Sequence, residues 1–149
     1  MTGIRVVPAE QRHRAEWDVL YAGYAEFYKV KQTPEMRDRV WGWIHNTAHE
    51  TCAFIAEDAE GRAVGLAHYR AFARPLSAST GGFLDDLFVD PHMRGQRVAD
   101  ALIGTLAEEG RKRGWSVIRW ITADTNYRGR AVYDRLANLT PWRTYDIPL

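Results

Sequence analysis

The sequence predicts an α/β fold: one domain over residues 1–149, with a mixed central sheet flanked by helices and the element order β-α-α-β-β-β-α-β-α-β. Three features point to it. Phe83-Leu84-Asp85-Asp86-Leu87-Phe88-Val89 is rich in β-formers and apolar on both faces, the mark of a strand in the middle of a sheet. It leads through Asp90-Pro91 and a basic, glycine-containing turn into a helix in which Val98, Leu102 and Leu106 recur at a spacing of four. A further strand follows, and strand, helix, strand in this arrangement implies a parallel pair joined by a right-handed crossover.

Each element has its own signal. Ile4 to Val7 is a short strand stopped by Pro8. Residues 9 to 29 are helical, because Trp17, Leu20, Tyr21, Tyr24 and Tyr28 fall on one face at i, i+3, i+4, i+7 and i+11. Thr33-Pro34-Glu35 opens a second helix with a hydroxyl cap, a proline in first position and an acid in the first turn. Met36, Val40, Trp43 and Ile44 mark its buried face, and it ends near Asn46. Thr51 to Glu57 and Ala63 to Phe72 are strands joined by the turn Asp58-Ala59-Glu60-Gly61, and so form a hairpin. His68, within it, reads as a structural residue. Residues 73 to 81 form a loop that borders a substrate cleft. The helix after the central strand closes at Arg111-Lys112-Arg113-Gly114, where basic residues and a glycine suit a C-terminus. Trp115 to Thr122 is the next strand, residues 126 to 138 the fourth helix, and Trp142 to Ile147, after the break at Thr140-Pro141, a last strand.

Composition narrows the function classes. A chain of 149 residues, 46% apolar, is long enough to bury a core. Twenty basic against 19 acidic residues, a net charge of +1, give no bulk reason to expect a nucleic-acid partner. The single cysteine, Cys52, rules out an intrachain disulfide framework, and its place in a strand suits inert packing. No apolar run approaches transmembrane length, and the N-terminal MTGIRVVPAE lacks the apolar core of a signal peptide, so a cytoplasmic protein without a membrane partner is expected. The six Trp and seven Tyr fill the core or line a cleft with their polar tips.

Two stretches carry chemistry. The turn Arg94-Gly95-Gln96-Arg97-Val98-Ala99 opens a helix, whose first N–H groups and positive dipole end suit a phosphate or pyrophosphate. An ordinary loop with two surface arginines is the competing interpretation. The turn is neither a Walker loop, since no Gly-Lys-Ser/Thr follows, nor a three-glycine dinucleotide fingerprint. In the strand before it, Asp85 and Asp86 are adjacent, so alternation puts them on opposite faces with at least one directed inward. A buried carboxylate needs a partner or a task.

The strand, Arg-Gly-x-x-x-Ala turn and helix resemble the acetyl-coenzyme A motif of the GNAT N-acetyltransferase superfamily, whose pattern is Arg/Gln-x-x-Gly-x-Gly/Ala. The chain matches at Arg94 and Ala99 and departs at Arg97, where the family prefers glycine. A side chain there must point away from the pyrophosphate or join in binding it. The fourth helix adds a second match. Asn126, Arg130 and Tyr133 share one face, and Asn126 and Tyr133 stand where the family carries an Asn near the helix start and a Tyr seven residues on. The element order over nearly the whole chain is the family order. The strand 83–89 is also similar to that of spermidine/spermine acetyltransferases, which carry a Glu-Asp pair where Asp85-Asp86 stands.

The resemblance implies transfer of an acetyl group from acetyl-CoA to a primary amine of a small cationic acceptor, polyamine or amino-acid-like, by direct attack, with coenzyme A as product. Leu87, Phe88 and Val89 would hold the pantetheine arm, one of their N–H groups polarising the thioester carbonyl. Arg94 and the backbone of Gly95, Gln96, Arg97, Val98, Ala99 and Asp100 would hold the pyrophosphate, with Asn126 and Arg130 toward the cofactor arm. Tyr133 would protonate the departing thiolate. Asp85 or Asp86 would accept the amine proton and attract the substrate, with Tyr24, Glu26 and Tyr28 as aromatic and acidic walls. No metal site is expected; a homodimer is. A protein or peptide N-acetyltransferase, or a non-catalytic acyl-CoA sensing domain, are the alternatives.

Overall fold

A computed structural model describes residues 3–149. The strands are β1 (Arg5–Pro8), β2 (Cys52–Glu57), β3 (Ala63–Arg74), β4 (Ser79–Val89) and β5 (Ile118–Arg119), and the helices α1 (Arg14–Phe27), α2 (Pro34–Ile44), α3 (Val98–Arg113) and α4 (Tyr127–Leu136). They build one five-stranded sheet in the order β1-β2-β3-β4-β5. Its first three pairings are antiparallel, and β4 with β5 is parallel, so the sheet is mixed, as the sequence predicts.

The two sheet faces fill by simple alternation. Ile55 and Leu66 pack with Trp17, Leu20 and Trp41 under α1 and α2. Their neighbours Phe54 and Ala67 turn the other way, to Val98, Leu102 and Leu106 of α3. The helix caps act as read: Thr33 caps α2 by accepting from the Met36 N–H at 3.2 Å, and Gly114 ends α3 in the left-handed conformation. The buried face of α2 is centred on Trp41, while Met36 and Trp43, expected there, are exposed. At the β1–β2 edge, Glu57 is buried and accepts from Arg5 (3.0 Å), Arg12 (2.6 Å) and His13 (2.9 Å), tying the first strand to the turn before α1.

Four further expectations are corrected. Residues 73–81 are not an open loop: β3 runs to Arg74, a 3-10 turn spans Pro75–Ser77, and β4 starts at Ser79. Residues 9–13 are not α-helical, because a separate 3-10 turn at Gln11–His13 precedes α1. The strand expected over 115–122 shrinks to Ile118–Arg119, because β5 diverges from β4 beyond Phe83. The last strand, 142–147, does not form, and the element order ends on α4. Trp142, Tyr145 and Ile147 are 80%, 90% and 85% exposed, and β-propensity without a ladder partner or a buried face does not order a strand.

Candidate active site

The site begins with a fault in the sheet. β3 and β4 pair from Gly65↔Val89 to His68↔Asp86, and the register then resumes at Tyr69↔Leu84, which leaves Asp85 as an extra residue. A bulge of this kind bends the strand and re-aims its side chains. The opposite-face expectation for the two acids therefore fails: Asp85 and Asp86 both line one cleft of about 520 Å³. The opposite edge of β4 opens at the same level. β5 pairs with it only at Gly82↔Ile118 and Phe83↔Arg119, so among the described residues no strand covers the β5 side of Leu84 to Val89. Backbone groups on that edge are available to an extended ligand.

α1 supplies the facing wall. Its aromatic stripe brings Tyr21, Tyr24 and Tyr28 to the cleft, with Val30 and Gln32 beyond them. The Tyr21 hydroxyl donates to Asp86 Oδ2 at 2.9 Å. The same oxygen faces His68 Nδ1 at 2.8 Å, and His68 Nε2 accepts from the Trp17 indole N–H at 2.9 Å. Glu26 is exposed and does not line the cleft. Ile121, Thr122, Ala123, Thr144 and Asp146 close the far side.

The two acids sit in different electrostatic settings. Burial raises the pKa of Asp85, and its ion pair with Arg70 Nε, at 3.1 Å, offsets only part of that. Burial also pushes Asp86 upward, but the His68 and tyrosine hydrogen bonds outweigh it and hold the carboxyl below its usual range. Tyr21 and Tyr24 are raised by burial and by the Asp86 charge, so both hydroxyls keep their protons.

The second half of the site lies at the start of α3. Gly95 (φ 81°) and Arg97 (φ 57°) are left-handed, and no side chain caps the helix. Arg94, Gly95, Gln96 and Arg97 are exposed, while the Val98 side chain is in the core, so only the backbone of Val98 can meet a ligand. Open N–H groups at the positive end of a 16-residue helix, with Arg94 and Arg97 beside them, fit a pyrophosphate. The Asp100 carboxylate is occupied: Arg135 binds it at 2.7 and 3.2 Å, tying α3 to α4, and Arg97 lies 3.6 Å away.

In α4, Asn126 and Arg130 are engaged locally. Asn126 accepts from Gly129 N–H at 3.3 Å and donates to Thr122 at 2.9 Å, and Arg130 donates to the Asp124 carbonyl at 2.8 Å. They shape the segment from Thr122 to the helix that carries Tyr133. The Tyr133 ring packs edge-on against Trp120 at 5.5 Å. Burial, with a smaller contribution from Tyr28, pushes its pKa up to about 12, so the phenol is protonated at neutral pH.

Sequence reasoning missed Tyr21, His68 and Asp146 as site residues. Tyr21 had a signal, since it shares the stripe of Tyr24 and Tyr28. His68 had none, because its link to Asp86 depends on the strand register, and Asp146 lies in a segment expected to be a strand.

Residues 17–137 match the acetyltransferase (GNAT) family. The chain is similar to a D-amino-acid N-acetyltransferase of Saccharomyces cerevisiae, 25% identical over 138 residues and covering 92% of this chain and 86% of the relative. It is 29% identical to a thialysine N-epsilon-acetyltransferase of Caenorhabditis elegans, over 97% of this chain and 92% of the relative. Among solved structures it resembles a ribosomal-protein-alanine N-acetyltransferase from Brucella melitensis biovar Abortus 2308, with a TM-score of 0.84, 25% identity, and coverage of 98% of this chain and 99% of that one.

Proposed function

The chain belongs to the GNAT acetyltransferase family and is an acetyl-CoA-dependent N-acetyltransferase, and from that premise we propose that its acceptor is the primary amine of a small cationic molecule. The observation that carries this reading is the bulge that turns both Asp85 and Asp86 into one tyrosine-walled cleft. Asp146 adds a third carboxylate, and no lysine or arginine is among the cleft's described lining residues. An acidic, aromatic cleft attracts a cation through charge and through ring faces.

Acetyl-CoA supplies the acetyl group as an activated thioester. The open β4 edge at Leu87 to Val89 would hold the pantetheine arm, and a backbone N–H near Leu87 or Phe88 would polarise the carbonyl oxygen. The first turn of α3, with Arg94 and Arg97, would hold the pyrophosphate. Asp86, held ionised, orients the acceptor ammonium. Asp85, whose pKa is shifted the other way, takes the proton, since two acids whose environments drive their pKa values apart suit separate roles. Tyr133 holds the proton for the leaving thiolate at its hydroxyl. The two relatives named for amino-acid-type amines support a small acceptor.

The test is an initial-rate assay of thiol release from acetyl-CoA across polyamines, amino acids, aminoglycosides and peptides. Turnover with di- or polycationic small amines is expected. Turnover confined to peptides, or to acceptors with no second positive charge, overturns the acceptor class.

A further inference from the structure

We propose that His68 is a positioning residue for Asp86, held by Trp17 in the Nδ1–H tautomer that donates to the Asp86 carboxylate. The inference rests on the reading of Asp86 as the group that meets the acceptor amine. His68 is 1% exposed and Trp17 is fully buried, so neither touches a ligand in the cleft. An indole N–H is a donor only. Its bond to His68 Nε2 therefore requires an unprotonated Nε2, which leaves the ring proton on Nδ1, 2.8 Å from Asp86 Oδ2. The contact between His68 and Asp86 is then a neutral N–H donor to a carboxylate rather than an ion pair. It cannot relay a proton from Asp86, because Nδ1 already carries one and Nε2 is occupied.

The geometry explains why a buried histidine is spent here. Asp86 is attached to a strand that has just passed a bulge, and the backbone alone does not fix its carboxyl group. Tyr21 from α1 and His68 from β3 hold the same oxygen from two sides, and a hydrogen bond from Tyr24 adds to them on the carboxylate. The tyrosine is on the cleft wall; the histidine is in the core. Trp17 anchors that core contact, its ring 4.8 Å from that of Trp41 of α2 in a tilted arrangement. The titratable groups around the ring are Asp85 and Asp86 from β4 and Tyr21 from α1, with Tyr24 beyond them on Asp86, while β2 presents Ala53.

Two experiments test the proposal. The first uses the native protein: ¹⁵N-histidine NMR at neutral pH shows a protonated Nδ1 and a pyridine-type Nε2 for His68. A protonated Nε2 overturns the assignment. The second compares His68→Asn, which keeps an N–H near the Nδ1 position, with His68→Leu, which has none, and with Asp86→Asn. His68→Leu lowers kcat/KM for the amine about 100-fold, as expected for a displaced substrate-orienting group. It moves the lower of the two ionisations in the acidic limb, the one Asp86 contributes below that of Asp85, to higher pH, because Asp86 loses a bond that favours its ionised form, and it leaves the KM for acetyl-CoA unchanged. His68→Asn restores most of the rate and the limb. An unmoved acidic limb in His68→Leu, with Asp86→Asn impaired, means that His68 is only packing. A fully active Asp86→Asn removes the reading of Asp86 itself, and the proposal with it. If His68→Leu does not fold, the NMR tautomer and the His68→Asn profile decide.

Discussion

Gly82 lies against the ring of Trp115 with no space between them for a single methyl group. A Cβ at Gly82 would collide with that ring and come within 3.0 Å of Ile118 Cδ1. This contact sits where β4 and β5 pair, at Gly82↔Ile118 and Phe83↔Arg119, just before they separate. Gly82→Ala is therefore expected to destabilise the fold by about 1–3 kcal/mol, the usual cost of overpacking. Thermal unfolding checks it; an unchanged Tm shows that the joint yields without cost.

The second prediction concerns Arg97, which is left-handed at φ 57° where the family prefers glycine. A left-handed non-glycine residue costs about 1–2 kcal/mol, part of which glycine gives back as lost chain entropy. The ion pair with Asp100, at 3.6 Å and largely exposed, contributes little in return. Arg97→Gly should raise the Tm by ~3 °C in the ligand-free protein. If Arg97 also binds phosphate, the same variant raises the KM for acetyl-CoA, so stability and affinity move in opposite senses. A large gain in cofactor affinity would instead show that the native arginine obstructs the site.

A third prediction is pH dependence. The Arg12, His13 and Arg5 hydrogen bonds bring the Glu57 carboxyl down to about 2, against an unfolded value near ~4.3. The folded pKa is the lower one, so this stabilisation is complete above the unfolded value and is lost as pH falls toward 2. The Tm should decline through that window in the native protein. Glu57→Gln should start lower at neutral pH and decline less. Parallel curves for the two proteins would assign the acid lability to other groups.

Much of this fold was legible because it depends on local periodicity. The stripe of Trp17, Leu20, Tyr21 and Tyr24 specifies α1, and Val98, Leu102 and Leu106 specify α3, whatever lies around them. The acid pair was legible as an anomaly, an energetic oddity within an apolar strand. Its arrangement was not, because the bulge at Asp85 is a property of the β3–β4 register, and one extra residue reverses which face a side chain occupies. For the same reason His68 reads as structural from sequence. Trp142 to Ile147 carries β-propensity, but among the described residues no strand pairs with it and its large side chains are exposed, and a strand needs one or the other.

The fourth prediction is that Tyr133→Phe lowers kcat by about 10²–10⁴-fold, the range for loss of a general acid, with little change in KM for acetyl-CoA. The hydroxyl carries its proton throughout the working range, since its pKa is pushed up to about 12. The ring itself packs against Trp120, which phenylalanine preserves. Single-turnover rates, which isolate chemistry from product release, are the measurement that checks it. Unchanged single-turnover rates remove Tyr133 from the role.

The last prediction separates the two acids. Both line the same cleft, yet Asp85 is shifted up and Asp86 down, so their substitutions should not look alike. Asp86→Asn keeps the shape and, on the proposed function, removes the charge that orients the acceptor ammonium. It should mainly raise the KM of the amine, most for acceptors with a second positive charge. Asp85→Asn removes the proton acceptor of the proposed function, and should mainly lower kcat and flatten the acidic limb that its raised pKa sets. The sign follows from the base role: Asp85 must be ionised to work, so activity in the native enzyme falls as pH drops through its pKa. Because the carboxylates interact, the native profile reports values belonging to the pair, and only the single variants resolve them. Arg70→Gln adds an independent check. Without its ion pair Asp85 rises further, and the acidic limb should move to higher pH while the KM of acetyl-CoA stays fixed. Identical profiles for Asp85→Asn, Asp86→Asn and the native enzyme would make the acid pair structural and end the cationic-acceptor reading.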